Sequence, residues 1–364
     1  MKTNSYRFKP IMKIKDPLRV FFLCGTKFGK NDSNDKRNVL KSFIESNYNK
    51  HYKAIILEEH FIFGNPKKNY LSYDSIFMKN LKDVELITGL YSDKIFIIHE
   101  SISTAAELGM FASDKNLLKK TCLITPDSFS MEEDKISSFI RLAFFNDRSA
   151  EDKIKNIVFY PKVQERIVSK SKIDYYTYFP KNKIHKSLAL NIDNFIKEDN
   201  DEEFEIRFKK NKFHKSFEDE NIISYFFNET ELNVFFSPKV IRILLISLFS
   251  LPDLKNEIRK CSSIIKTVST LQHNFTLILM NSISEIEATD FSKYRVNITL
   301  DQNELNIRLV IGYFLYLLQA LNMVKLPAMK SNKTVGFTTE SGTFFKKYVE
   351  IIEEIHPSKL TGLL

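Results

Sequence analysis

The chain has 364 residues, of which 43% are hydrophobic and 27% charged, and its formal net charge is +9. This composition is typical of a folded globular protein of about two domains, and it excludes a chain that is disordered throughout. The three cysteines lack metal-ligand or disulfide spacing and the apolar runs are too short to span a bilayer, so we expect a cytoplasmic protein with no cofactor, metal or membrane partner.

Short β-rich runs alternate with helical patterns over the first 150 residues. The runs at 19–25, 53–63, 93–100 and 119–127 predict four strands. Strands that alternate with helices indicate βαβ units, so we expect a Rossmann-like α/β domain with a parallel sheet over residues 1–150. Ligands bind such sheets beyond the carboxyl ends of the strands.

Polar and small residues collect where the predicted strands end. The candidate substrate-binding residues at this edge are Gly25, Thr26, Lys27, Glu58, Glu59, Asp93, Ser101 and Ser103. Glu85, on the helix before the third strand, is expected to approach the same edge. Because the carboxyl ends of parallel strands lie side by side, we expect these residues to surround one ligand.

The segment "HESISTAAELGMF", residues 99–111, carries two glutamates that bracket a run of small residues. One interpretation makes Glu100 a helix cap and Glu107 a surface residue, since acids are favoured near a helix N-terminus. The favoured interpretation is a site in which the small residues let a sugar approach the backbone and both carboxylates line that space. Strand alternation puts His99 on the opposite face from Glu100, so we expect it to be a packed histidine.

The second half of the chain has a different character. Glycine is absent from residue 110 to residue 311, and an acidic stretch occupies residues 197–205. We interpret residues 151–235 as a lysine-rich helical connector. Its aromatic and basic pieces fit either a solvated surface or a nucleic-acid contact.

Residues 236–364 are predicted to form a mainly α domain. Three apolar helical patterns are followed by a strand, a basic turn, a strand and a helix, an order that resembles a winged-helix module. Lys325, Lys330 and Lys333 would lie on or near the turn, where they could contact nucleic acid or a protein partner. The pattern leaves DNA binding and partner docking open.

A family resemblance joins these observations. A strand that ends in an acidic residue, a turn of small residues and "ELG" opening a helix are typical of the nucleoside 2-deoxyribosyltransferase-like fold. The chain is more closely similar to retron-associated effectors, which join that domain to a helical part with a winged helix. The matching segments are "FLCG" (22–25), "LEEHF" (57–61), "SDKI" (92–95), "ES" (100–101), "ELGMF" (107–111), "KK" (119–120) and "SFI" (138–140).

The resemblance implies cleavage of an N-glycosidic bond. Glu107 would attack the anomeric carbon, Glu100 and Ser101 would orient the sugar or base, and Glu58 or Glu59 would be the secondary acid. The turn "ESIST" lacks the glycine and aspartate of the salvage transferases, which argues against a salvage-type substrate. The resemblance to retron-type effectors implies instead a nucleotide or nucleoside of the NAD or purine type.

The same resemblance implies a toxic effector that a retron reverse transcriptase and its RNA-linked DNA keep inactive. Homo-oligomerisation stays open. Two other functions also remain open: a DNA-binding regulator whose α/β domain senses a nucleotide, and a salvage deoxyribosyltransferase.

Overall fold

The structure is a computed structural model. It describes residues 6–26, 34–59, 80–127, 156–161, 163–169, 172–198, 203–211, 219–300, 305–327 and 334–355. The chain divides into two compact units built from interleaved segments. The parallel-sheet unit comprises Leu18–Glu59 and Glu85–Asp201, and the mixed-sheet unit comprises Met1–Pro17, His60–Val84 and Glu202–Leu364.

Described strands occur along most of the chain, including the segment expected to be a helical connector. They are β1 (Tyr6–Phe8), β2 (Ile11–Lys15), β3 (Arg19–Gly25), β4 (Tyr52–Ile55), β5 (Lys94–Ile98), β6 (Thr121–Asp127), β7 (Ile157–Pro161), β8 (Val163–Ser169), β9 (Lys172–Tyr178), β10 (Glu203–Lys210), β11 (Ile222–Phe227), β12 (Glu231–Phe236), β13 (Arg295–Leu300), β14 (Leu305–Asn306), β15 (Val324–Lys325), β16 (Gly336–Phe337) and β17 (Ile352–Glu354).

The described helices begin after the first strand of the parallel sheet. They are α1 (Lys36–Asn47), α2 (Leu81–Tyr91), α3 (Ile102–Ala112), α4 (Lys115–Lys119), α5 (Lys186–Lys197), α6 (Pro238–Leu248), α7 (Pro252–Arg259), α8 (Ile264–Glu287), α9 (Ile307–Ala320) and α10 (Thr339–Lys346).

The parallel-sheet unit contains a five-stranded sheet with the order β4-β3-β5-β6-β7, and all four strand pairs are parallel. This arrangement confirms the prediction of an α/β region with a parallel sheet. Phe21 and Leu23 of β3 pack into a core shared with α1 and α5. On the opposite face of the strand, Phe22 packs edge-on against Phe111 of α3. By strand alternation Cys24 faces that same side, toward α3.

The mixed-sheet unit contains a sheet that the sequence pattern does not predict. Its order is β14-β13-β12-β11-β10-β2, with both parallel and antiparallel pairs. Helices α6, α8 and α9 of this unit are rich in fully buried apolar residues. The expected run of apolar helices is present, and it is accompanied by strands.

The interpretation of residues 151–235 as helical is wrong for the described residues. Apart from α5 and a short 3-10 turn, their regular structure consists of strands β7 to β11 and most of β12. The signal is in the sequence: "EFEIRFKK" of β10 alternates polar and apolar residues, and Phe204 and Ile206 are buried. A period of two predicts a strand, whereas the absence of glycine says little about helix or strand.

The two C-terminal strands and the helix after them are present as predicted, and residues 328–333 of the predicted basic turn lie outside the described residues. β15 and β16 pair antiparallel, with Val324 opposite Phe337, and α10 follows. Whether this ribbon and the helices before it form a winged helix stays a prediction, as do the predicted domain boundaries and the deoxyribosyltransferase-like fold of residues 1–150. In the described ranges, every helix is too short or too polar to cross a membrane.

Candidate active site at the carboxyl edge of the parallel sheet

The carboxyl ends of β3, β4 and β5 bring most of the predicted residues to one edge. Gly25 ends β3 opposite Ile98 at the end of β5. Glu58 and Glu59 lie in a single 3-10 turn, Leu57–Glu59, just after β4, and Ser101 caps α3 just after β5. Thr26 is exposed beside Gly25. These residues therefore lie at the edge that the topological rule predicts.

Asp93 is the exception, and its predicted position is wrong. It precedes β5, and its carboxylate accepts hydrogen bonds from the Val20 backbone N at 2.7 Å and from Arg19 Nη1 at 3.3 Å. Arg19 begins β3, so this pair ties together the amino ends of two strands. Parallel strands run in one direction, and a residue before a strand lies at the edge opposite to a residue after it.

Glu107 is held in an unusual environment for a carboxyl group. It projects from α3, it is half-buried, and its Oε2 is buried without a hydrogen-bond partner among the described residues. Burial raises its pKa to about 8, and the nearby Glu85 and Glu58 carboxylates add to the increase. Arg37 and a hydrogen bond from the Cys24 thiol act in the opposite direction. At neutral pH the resting side chain is mostly protonated.

Glu85 of α2 is a second titrating group at this site. Burial raises its pKa to about 7, and the charge of Glu58 adds to the increase. The sequence pattern places Glu85 near this edge but gives it no role, because it lies outside the strand ends and carries no motif. The sequence feature that could have identified Glu85 as a site residue is its position on α2, the helix that leads directly into β5.

Arg37 is a functional candidate that the sequence pattern does not single out. It lies in the first turn of α1 and is 2% exposed. Asp35 accepts from its Nε at 3.1 Å and from its Nη2 at 2.8 Å, and Glu58 Oε1 accepts from its Nη1 at 2.6 Å. The sequence feature that could have identified Arg37 is the pair of cations, Lys36 and Arg37, at the start of α1. The helix dipole disfavours positive charge at a helix N-terminus, so these cations need acidic partners.

Glu100 is engaged in a separate polar network. Its Oε2 lies 2.6 Å from Lys36 Nζ, and its Oε1 accepts a hydrogen bond from the Tyr160 hydroxyl at 2.5 Å and another from the Thr177 hydroxyl. Tyr160 is fully buried. Both oxygens of Glu100 bind protein groups, and this pattern is typical of a carboxylate with a structural role. This network lies at the start of the turn that leads into α3.

The small residues of "ESIST" have a local structural role. Ser101 and Thr104 form a capping box: the Thr104 backbone N donates to Ser101 Oγ at 3.3 Å and the Ser101 backbone N donates to Thr104 Oγ1 at 3.1 Å. Ser103 Oγ lies 3.3 Å from Ser101 Oγ. His99 is half-buried, with its Nδ1 3.5 Å from Thr104 Oγ1, and burial lowers its pKa. These contacts fix the start of the helix that carries Glu107.

The remaining predicted residues fall outside this cluster or outside the described residues. Glu59 Oε2 forms an ion pair with Lys41 Nζ at 2.8 Å. Lys325 is exposed on β15. The predictions for Lys27, Lys330 and Lys333 fall on positions that the structure does not describe.

Comparison with known proteins identifies the class. A family model whose description is STM3845 retron effector protein matches residues 33–326, a range that includes Arg37, Glu58, Glu85, Glu100 and Glu107. The match defines the chain as a retron effector. Because it covers well over half of the 364 residues, the chain belongs to the STM3845 retron effector protein family. No curated protein matches the chain.

The family match confirms the predicted resemblance to retron-associated effectors. It makes the chain a retron-associated antiviral defence effector that associates with retron components in general. The reaction, the substrate and the individual partners stay predictions.

Proposed function

We propose that this effector hydrolyses the N-glycosidic bond of NAD or of a purine nucleoside or nucleotide, with Glu107 as the nucleophile. The observation that carries the proposal is the buried Glu107 Oε2, which has no partner among the described residues and lies near the sheet edge where ligands bind. A carboxyl oxygen kept unpaired and partly desolvated is available to a reacting carbon. Glu100, by contrast, has both oxygens occupied.

The reaction proceeds in two balanced steps. Glu107 Oε attacks the anomeric carbon, the bond from that carbon to the base nitrogen breaks, and a purine base leaves with a proton donated by an acid. Water then attacks the glycosyl ester, which regenerates the Glu107 carboxylate and gives the sugar product; the proton of the water returns to the acid after a purine has left, and passes to solvent after nicotinamide, which leaves without a proton. Two displacements at one carbon retain the anomeric configuration.

Glu85 is the best candidate for the acid. Its pKa of about 7 keeps a proton available near neutral pH. In the productive form Glu107 is ionised and Glu85 is protonated. This is the less populated of the two singly protonated forms, because the pKa of Glu107, about 8, is higher than that of Glu85, about 7. Near neutral pH the productive form is therefore a minor fraction of the molecules. A cationic ligand such as a nicotinamide ring increases that fraction, because positive charge favours ionised Glu107.

Glu58, Gly25, Thr26 and Ser101 border the space where the sugar would bind. Glu58 uses Oε1 for Arg37 and is about one-third exposed, so its second oxygen is placed to accept a hydrogen bond from a sugar hydroxyl. Thr26 and Ser103 are exposed near the same edge. In this arrangement Glu59 is less suited to the role of secondary acid, because its carboxylate binds Lys41.

One form of control by a reverse transcriptase and RNA-linked DNA uses a surface that binds a polyanion, and the mixed-sheet unit has a candidate. Lys255 and Arg259 of α7 lie one helical turn apart, and both lie over the ring of Phe337 on β16, each 5.5 Å from its centroid. Burial lowers the pKa of Lys255, and the positive charges of Arg259 and Lys346 lower it further. A phosphate group between these cations relieves their repulsion.

This basic cluster also favours the second candidate function, a regulator that binds DNA and senses a nucleotide without cleaving it. The two functions differ in what happens to the nucleotide. Intact nucleotide recovered from a protein that binds it supports the regulator.

The test is incubation of the purified full-length protein with NAD and with a panel of purine nucleosides and nucleotides, followed by chromatography of the released bases. We expect release by the wild type and a loss of at least about 1,000-fold in Glu107→Gln. Glu350→Gln, which removes a carboxylate at an exposed position of the mixed-sheet unit, is the control and keeps full activity.

A second measurement identifies the role of Glu107 directly. Mass spectrometry of the wild type quenched during turnover is expected to show a glycosyl ester on the peptide that contains Glu107, and methanol as acceptor gives a product of retained configuration. Base release that persists in Glu107→Gln, or a product of inverted configuration, rules out Glu107 as the nucleophile.

A further inference from the structure

One buried guanidinium is coupled to the acidic groups of the candidate site. Arg37 forms an ion pair with Glu58, and its charge also acts on Glu107. Glu107 in turn is influenced by Glu85 and Glu58, and by the thiol of Cys24. These groups come from α1, α2, α3, β3 and the turn after β4. Among the described residues, they are the groups that shift the pKa of Glu107.

The position of Arg37 is fixed from two sides. Asp35, the N-cap of α1, accepts from the Arg37 backbone N at 2.9 Å and from two nitrogens of its guanidinium. On the other side the arginine stem packs on Gly25, where a Cβ atom would come within 3.1 Å of Arg37 Cδ and 3.2 Å of its Cγ. Only glycine at position 25 leaves this space without a shift of the arginine.

We propose that Arg37 is a positioning residue of this site: held by Asp35 and by the space over Gly25, it fixes the Glu58 carboxylate at the sheet edge and supplies positive charge that partly offsets the repulsion among the carboxylates of the site. This inference rests on the proposed function for its catalytic part, but the arrangement of charges can be tested without turnover.

The carboxylates around Arg37 explain why a cation is needed at this position. Without Arg37, Asp35 and Glu58 would lose the cation that both bind, and the charges of Glu58 and Glu85 would act on Glu107 without a compensating cation from α1. Such a group of acids takes up protons, and the desolvated Glu107 remains protonated. A protonated carboxyl is a poor nucleophile, so a smaller ionised fraction of Glu107 would make the site less active.

The experiment compares Arg37→Lys and Arg37→Met with the wild type in the full-length protein. Carboxyl titrations are followed by carbon-13 NMR of labelled glutamate, with Glu107→Gln used to assign the Glu107 signal. We expect the pKa of Glu107 to rise by about one unit in Arg37→Met and by less in Arg37→Lys. At pH 7 a rise of one unit lowers the ionised fraction, and with it kcat, about tenfold.

Arg19→Met is the matched control. Arg19 is also a buried arginine of the same unit, paired with Asp93, but it lies at the opposite edge of the sheet. Its removal is expected to lower stability without moving the Glu107 titration. Equal Glu107 shifts in Arg19→Met and Arg37→Met would mean that a general loosening causes them, and would overturn the proposal.

Gly25→Ala keeps the proposal testable if the Arg37 variants do not fold. It retains every charge and displaces only the arginine stem, so we expect a smaller upward shift of the Glu107 pKa in the same direction. An unchanged Glu107 titration in Gly25→Ala, and in Arg37→Lys where that variant folds, contradicts the positioning role. If the pKa of Glu107 shifts as expected but neither the wild type nor any variant releases a base, the positioning role of Arg37 is supported and the N-glycosidase proposal fails.

Discussion

Lys36 Nζ lies 2.6 Å from Glu100 Oε2, and both side chains are largely buried. The next residue, Arg37, binds Glu58 at the same 2.6 Å, so two consecutive cations of α1 reach two different carboxylates. One carboxylate lies before the cap of α3 and the other lies in the turn after β4. The first turn of α1 therefore holds together the two segments that border the candidate site.

Removal of the Lys36 charge tests how much this pairing contributes. In Lys36→Met the Glu100 carboxylate keeps its hydrogen bonds from Tyr160 and Thr177 but loses its counter-ion. An uncompensated buried charge costs about 3 kcal/mol, so we expect the free energy of unfolding to fall by that amount. Urea denaturation measures it. The double variant Lys36→Met/Glu100→Gln is expected to recover part of the loss, and a double variant less stable than the single one contradicts this account.

Glu107 makes the stability of the protein depend on pH. Its pKa is about 8 in the folded chain, well above the ordinary value of 4.5, so the folded state binds a proton that the unfolded state has released. Between pH 4.5 and 8 the stability therefore falls as the pH rises, and above pH 8 the loss is complete.

The variant Glu107→Gln lacks this proton equilibrium. We expect it to match the wild type near about pH 4.5 and to be more stable by on the order of 2 kcal/mol at about pH 9, in thermal or chemical denaturation. A difference that does not change with pH would mean that Glu107 ionises normally.

We expect the change from glycine to alanine to have opposite effects on stability at Gly25 and at Gly109. Gly25→Ala brings a Cβ to within 3.1 Å of Arg37, and we expect a loss of about 1–2 kcal/mol together with weaker activity. Gly109 lies inside α3, where an added Cβ would meet no heavy atom of the described residues within 4 Å beyond its chain neighbours and the backbone of its own helix, and Gly109→Ala is expected to gain about 0.5–1 kcal/mol.

Calorimetry and base release on both variants separate these effects. Activity that survives in Gly109→Ala would show that this glycine gives no clearance to the sugar. Loss of activity there without loss of stability would instead place the sugar against this face of α3, as the run of small residues in the sequence suggests.

The basic cluster on α7 is expected to contact nucleic-acid phosphates. The double variant Lys255→Glu/Arg259→Glu should weaken binding of a single-stranded oligonucleotide by at least about tenfold in low salt. It should also lower the slope of log affinity against log salt by about 0.7 for each phosphate that the protein no longer neutralises. Fluorescence anisotropy over a salt series measures both quantities. Lys266→Glu, at an exposed lysine of α8, is the control; equal weakening in the control variant would mean that net charge alone determines binding.

Much of the parallel sheet can be predicted from the chain alone. The strand predicted at 19–25 has its observed bounds, and those at 93–100 and 119–127 agree within two residues, because buried parallel strands are short, apolar runs between polar turns. The run at 53–63 is too long, since β4 ends at Ile55 and a 3-10 turn follows. The rule for parallel sheets brings Gly25, Glu58 and Ser101 together. The same rule places Asp93, which precedes a strand, at the opposite edge and so excludes it from this group of residues.

The partners of the acids could not be predicted. Glu100 accepts hydrogen bonds from residues 60 and 77 positions away, and Arg37 reaches Glu58 across 21 positions. Nothing in the local sequence distinguishes the occupied carboxylate of Glu100 from that of Glu107, one oxygen of which has no hydrogen-bond partner among the described residues. Both are glutamates of the same short segment that contains the turn and α3.

The amino-acid sequence by itself determined the alternation of strands and helices in the parallel-sheet unit, the edge at which its polar residues gather, and the resemblance to retron effectors. These depend on local periodicity and on a topological rule. Only the tertiary structure decided which glutamate is neutralised by a cation and which is left desolvated. That outcome depends on burial and on charged groups from several separate elements, and a pKa is set by the sum of those surroundings.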